Sequence, residues 1–287
     1  MTTHDDDHDD DHDRGLAFDV DTLLARRGAL KLLGGASLLV IGGCAAESTS
    51  PSASRLTSTP TAPGAASSAS SAGATDGPPT AEVPDETGGP YPGDGSNGPN
   101  VLDDSGIVRS DITTSYDTAT TRAVGVPLTV NLTLTEVAQG YAALAGAAVY
   151  LWHCDRDGSY SLYSQGLENE NYLRGVQESD AAGTVTFTTI FPGAYSGRWP
   201  HIHFEVYSSV EDATTSGPIV KTSQIALPLA ACEQAYRTAG YERSVQNLAG
   251  SSLTSDHVFG DDGGVHQLAT VTGDASSGFV ANLTIAV

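Results

Sequence analysis

Positive charge is what this chain has least of. Its 287 residues carry 13 lysines and arginines against 35 aspartates and glutamates, a formal net charge of −22. A surface this acidic repels phosphate backbones and anionic headgroups, which argues against nucleic acid as a partner. Long apolar runs are missing too. The most apolar stretch ends at Ile41-Gly42-Gly43-Cys44 and is too short and Gly-rich for a transmembrane span, which needs ~20 apolar residues. Helix signals are scarce: only 228–237, with Pro228 at its start, reads as a helix. No internal repeat is visible. Between residues 45 and 100 large apolar side chains almost vanish, and Ser, Ala, Thr, Pro and Gly take over. Such a segment cannot offset its ordering entropy by burial, so 45–100 is expected to be a disordered tether spanning roughly 40 Å root-mean-square. Its end, near Pro90-Tyr91-Pro92, is where docking on a domain would begin.

What precedes the tether has its own logic. Residues 1–44 hold nine Asp against Arg14, Arg26, Arg27 and Lys31, so they contribute −5 and leave −17 for the rest. The run from His4 to Asp13 interleaves His with Asp; it reads as a solvated tail lost with the leader. Arg26-Arg27-Gly28-Ala29-Leu30-Lys31 before an apolar stretch resembles a twin-arginine export signal, and Ile41-Gly42-Gly43-Cys44 resembles a bacterial lipobox. The expectation is an exported protein held on the outer face of the membrane by a lipid on Cys44, with no other membrane contact. Twin-arginine export carries folded cargo, so a cofactor inserted before export fits the leader without being identified by it.

Residues 101–287 are ample for one well-buried domain. Leu128, Val130, Leu132 and Leu134 alternate with polar residues as a half-buried strand does. Further strands are predicted over 147–154, 184–190, 201–207, 264–272 and 279–287. Short strands, Gly/Asp/Asn/Ser turns and one short helix indicate an all-β domain, an antiparallel β-sandwich.

The sharpest feature for chemistry is His201-Ile202-His203. On a strand, positions i and i+2 share a face roughly 6–7 Å apart, so both imidazoles can converge on one ion, while Ile202, Phe204 and Val206 take the core face. Alone, the pair leaves open a metal site or half-buried histidines. Two longer segments narrow this. One is Leu151-Trp152-His153-Cys154-Asp155-Arg156-Asp157-Gly158-Ser159-Tyr160-Ser161. The other is Thr189-Ile190-Phe191-Pro192-Gly193-Ala194-Tyr195-Ser196-Gly197-Arg198-Trp199-Pro200, running into His201. With Tyr172-Leu173-Arg174-Gly175 and Ser179-Asp180-Ala181-Ala182-Gly183 between them, these resemble the intradiol ring-cleavage dioxygenases, a family that includes catechol 1,2- and protocatechuate 3,4-dioxygenases. The resemblance covers about residues 125–235.

It implies an Fe(III) cofactor held by Tyr160, Tyr195, His201 and His203, and a small aromatic diol and O₂ as substrates. Cleavage between the hydroxyl-bearing carbons would give a muconate-type diacid, with Tyr195 released to help accept a diol proton. A hard ferric ion favours anionic oxygen donors, which phenolates supply and imidazoles complete. Arg198 matches the family's active-site arginine, suited to stabilising negative charge on the substrate. The family usually reads Arg-Pro-Ala-His where this chain reads Arg-Trp-Pro-His, so the proline has moved by one position. Gln224 matches a glutamine near the substrate, across a longer loop after His203.

Other candidates are weaker. Asp155-Arg156-Asp157-Gly158 starts like a calcium loop, but position twelve is Gly166, so a turn is expected. His153 is expected to be a buried, hydrogen-bonded histidine, and His257 and His266 surface or structural ones. With Cys44 lipidated, Cys154 and Cys232 remain, and in an exported protein they suggest a disulfide. Two rival readings stay in play. One is a non-catalytic cell-surface β-sandwich that only binds ligands; the other is a cupin-like His-x-His enzyme using Fe(II) or Zn, which would leave both tyrosines idle. No helical dimerisation segment precedes the sandwich, so the oligomeric state is open.

Overall fold

The computed structural model describes residues 81–287. The leader, Cys44 and the tether up to residue 80 lie outside the described residues.

Two sheets pack face to face. The first is built on β1 (Pro127–Glu136), flanked on one side by β5 (Thr184–Ile190) and the two-residue β2 (Ala142–Ala143), and on the other by β9 (Gly278–Ala286) and then β8 (Thr270–Asp274). The second runs β4 (Arg174–Glu178), β3 (Ala148–Trp152), β6 (His201–Tyr207), β7 (Ile219–Ala226). The expected β-sandwich is there, with two departures. The β1–β9 pairing is parallel, and the described residues hold, besides a single 3-10 turn at Val137–Gln139, three short α-helices, not one: α1 (Val210–Thr214), α2 (Leu229–Ala235) and α3 (Glu242–Ala249).

Alternation explains the core. Leu128, Val130, Leu132 and Leu134 of β1 point inward with Val185 and Phe187 of β5. They meet Val149 and Leu151 of β3 and Ile202, Phe204 and Val206 of β6. Burying each such side chain contributes about 1.5–3 kcal/mol. The second sheet is buried on its other face as well, where Tyr150, Trp152 and Val176 pack under Val101, Leu102, Ile107 and Tyr160.

Three expectations need correction. The segment 264–267 is bend and turn and Leu268 makes only an isolated bridge to Ala226, so the strand begins at Thr270; Gly263 and Gly264 take φ of 74° and 67°, outside the strand region. The last twenty residues assigned to the disordered tether are ordered on the domain. Val83 N–H donates to the Ala286 carbonyl (2.9 Å), Glu86 N–H donates to the Thr222 carbonyl (2.8 Å), and Val83 is buried. Composition hides this because the anchors are few and the backbone supplies much of the bonding. Cys154 and Cys232 are buried free thiols, not a disulfide. Cys154 packs in the outer layer with its Sγ directed at the Gly193 carbonyl (3.4 Å), and Cys232 belongs to the inter-sheet core with its Sγ toward the Leu227 carbonyl (3.9 Å). Burial pushes both thiols above their ordinary range. Alkylation of denatured, unreduced protein should therefore label both cysteines, with neither reacting readily in the folded state. A mass shift for neither would restore the bridge.

Candidate metal centre

The outer face of the second sheet places the site. Arg174, Trp152, His203 and Gln224 sit opposite one another on β4, β3, β6 and β7. His201 lies two residues before His203 on the same face, as expected. The two Nε2 atoms are 3.1 Å apart, with the rings edge to face. The indole of Trp152 stacks flat on His203 at 4.9 Å and 6°. His201 Nδ1 lies 2.6 Å from the Trp199 carbonyl. That contact makes Nδ1 the donor and leaves the Nε2 lone pair directed into the site.

The tyrosines arrive on two loops that touch each other. After β3 the chain turns tightly, and Asp155 accepts the N–H groups of Asp157 and Ser159 (2.9 Å each); the acidic pair forms a turn, as expected. The second loop crosses so close that a Cβ on Gly193 would lie 2.6 Å from the Arg156 carbonyl oxygen, which only glycine avoids. α3 clamps this loop from outside: Ser244 Oγ accepts the Ala194 N–H (2.9 Å) and Asn247 Nδ2 donates to the Ala194 carbonyl (2.8 Å). Tyr160 Oη and Tyr195 Oη end up 3.5 Å apart, and Tyr195 Oη lies 3.1 Å from His201 Nε2.

Four donor atoms thus follow one another at 3.1–3.5 Å, the spacing expected around an ion making bonds of about 2 Å. Among the described residues no group of three or more His, Cys, Asp or Glu could hold a metal; the set here is two imidazoles and two phenols. Burial pushes the Tyr160 phenol well up, helped by Tyr195. It pulls both imidazoles well down, helped by Arg198 at His201 and by His201 and then Arg198 at His203. Burial thus opposes the charged forms of Tyr160 and of both imidazoles, whereas a multivalent cation favours a phenolate. The donors therefore suit a hard metal ion.

Arg198 is buried alongside. Its Nε donates to Asp256 Oδ2 (3.0 Å), its Nη2 donates to Gln224 Oε1 (2.6 Å), and Nη1 lies 3.5 Å from His201 Nε2. Gln224 is completely buried, and its Nε2 donates to the Thr87 carbonyl (2.9 Å). Both residues lie beside the four donors.

Two contributors were not legible. Asp256 stands in a loop without a motif, and its carboxylate takes N–H groups from Trp199 (2.7 Å), Val258 (2.8 Å) and Phe259 (3.2 Å) as well as Arg198. Burial raises its pKa, but Arg198 and the Trp199 N–H outweigh that and hold it below the usual carboxylate range. The second contributor is the strap 81–92. Tyr91 lies against Tyr160 with ring centres 4.9 Å apart, and the Pro92 carbonyl accepts from Tyr150 Oη (2.7 Å) and Arg174 Nη1 (2.8 Å).

His153 is the buried, satisfied histidine expected, bonded to the Cys154 carbonyl and Thr189 Oγ1 (2.7 Å each), with burial pulling its pKa down to about 4. His257 and His266 are half-buried and stand outside the tetrad. A surface pocket of about 250 Å³ opens beside Tyr195, walled by Gly158, Ser196, Arg243 and Asn247.

Residues 97–215 match the model of a family described as "Dioxygenase". Among solved structures, an intradiol ring-cleavage dioxygenase from Tetranychus urticae is 25% identical with a TM-score of 0.52, over 64% of this chain and 87% of that one. The dioxygenase domain of a dioxygenase–carbohydrate-binding protein fusion from Streptomyces sp. SirexAA-E is 24% identical with a TM-score of 0.46, over 72% of this chain and 98% of that one.

Proposed function

We propose that this domain is a working member of the intradiol ring-cleavage dioxygenase family, a reading supported by the family-model match over residues 97–215 and the likeness to the Tetranychus urticae enzyme. The proposed reaction opens a catechol-type ring between its two hydroxyl-bearing carbons and incorporates both atoms of O₂. The balance is simple: diol plus O₂ gives a muconate-type diacid, with no other reductant. One observation carries the reading, the run of four donors Tyr160, Tyr195, His201 and His203 at 3.1–3.5 Å, which suits Fe(III). When bound, ferric iron supplies Lewis acidity that favours the diol's anionic form and makes its ring the electron source for O₂.

The chain's own groups divide the remaining work. Tyr195, half-buried beside the surface pocket, is placed to take a diol proton on Oη. Tyr160, buried under Tyr91, has no comparable path outward and holds its position. Arg198 presents a fixed positive charge that stabilises anionic charge on the substrate ring. Trp152, stacked on His203, excludes water from that side. On the leader sequence, the same proposal has the domain exported and tethered through a lipid on Cys44.

Iron-loaded protein should be red-brown from tyrosinate-to-iron charge transfer, and Tyr160→Phe should weaken and shift that band. Turnover of catechols under ¹⁸O₂ should give a muconate-type diacid labelled at both new oxygens, read by mass spectrometry. A semialdehyde product would mean cleavage outside the diol and would overturn the reading. Full colour and activity in Tyr160→Phe would remove that tyrosine from the ligand set.

A further inference from the structure

Arg198 has to hold one orientation to be useful, and its own backbone does not guarantee one. It follows Gly197, which has a φ of 79°, in an exposed stretch of loop. What fixes it comes from far along the chain. Asp256 is completely buried, and the Oδ2 that accepts Arg198 Nε also accepts the N–H of the next residue, Trp199 (3.0 and 2.7 Å). Oδ1 is occupied by Val258 and Phe259 N–H, so the carboxylate cannot rotate without losing bonds on both sides. A proline at 199 would have no N–H to give; the order Trp199-Pro200 is what lets one carboxylate oxygen grip both the backbone and the side chain of the arginine's loop. At the other end of the guanidinium, Gln224 Oε1 takes Nη2, and the Thr87 carbonyl fixes which way that amide faces.

We propose that Asp256 is the positioning residue of this site: it aims Arg198 so that the Nη1 edge faces the tetrad. This rests on the dioxygenase reading for its catalytic consequence, but not for its geometric content. In Asp256→Asn the charge and part of the acceptor capacity are lost, and kcat should fall about 10-fold or more, within the loss expected when one charge-stabilising donor is removed. Iron content and the visible band should stay as in wild type. The decisive comparison is Asp256→Asn/Arg198→Ala, which should be no slower than Arg198→Ala alone within about 2-fold, since a residue acting through another adds nothing once that one is gone. Losses that multiply would overturn the proposal. If iron-loaded wild type cleaves no catechol, the dioxygenase reading fails and a second readout still decides: ¹⁵N NMR of the full chain prepared without iron. There the Arg198 Nε–H should be low-field and slow to exchange with solvent, and about 10-fold or more faster in Asp256→Asn. A fast-exchanging Arg198 Nε–H in wild type would overturn the proposal even if Asp256→Asn fails to fold.

Discussion

A chain begun at Gly93 should melt about 10 °C below the full-length protein and lose most of its turnover. Residues 81–92 bury Val83 and bring Tyr91 against Tyr160. They also supply the carbonyl acceptors for Gln224 Nε2, Tyr150 Oη and Arg174 Nη1, and the carboxylates of Glu82 and Asp85 that flank Lys221. A buried donor that loses its acceptor costs about 1–3 kcal/mol, reduced here because water gains access to the uncovered face. With the lost apolar burial, about 3 kcal/mol is a conservative total, and in a domain of this size each kcal/mol moves Tm by about 2–4 °C. Calorimetry gives the first number and steady-state kinetics the second. The kinetic loss should exceed what partial unfolding explains, because Gln224 would no longer hold Arg198 Nη2. An unchanged Tm would mean that the strap is an ornament.

His203→Ala should abolish iron retention. The substitution removes one of four donors and leaves a gap beneath the Trp152 indole, which stacks on that imidazole. Losing only an outer partner of a metal ligand costs about 10–100-fold in affinity, and losing the ligand itself costs more. Metal analysis after dialysis against a chelator should find little iron and no colour, while circular dichroism remains that of a β-protein. Iron retained at wild-type level would remove His203 from the centre.

The donor set was legible because strand periodicity and local motifs both point at it. His201 and His203 share a face by alternation alone, and Tyr160 and Tyr195 stand inside segments that continue into strands. What surrounds the donors was not legible, for the reason that makes it work. β7 escaped notice because Lys221, Thr222, Ser223 and Gln224 look like a polar loop, yet all four are buried under the strap and against the site. Alternation cannot be read where both faces are covered and one is polar. Asp256 gave no signal because its partner is 58 residues away and their pairing depends on the tertiary fold. The strap reads as tether because its few anchors, Val83 and Tyr91, stand among Gly, Pro and acidic residues. The disulfide expectation failed on a similar point: counting two cysteines says nothing about which layer each occupies.

The parallel pairing of β1 with β9 sets the order in which the molecule comes into being. Asn131 and Asn282 lie side by side, linked by their amides, although 151 residues separate them. A growing chain exposes β1 long before its central neighbour has been synthesised, and the loop entropy of that contact is spent late. Until β9 arrives, the Leu128–Leu134 face has only β5 and the β2 stub beside it, and the parallel edge of β1 is an open template for another strand. Closure of the sandwich thus waits on β9, and the tetrad, whose histidines lie on the opposite sheet, acquires its rigid floor only then.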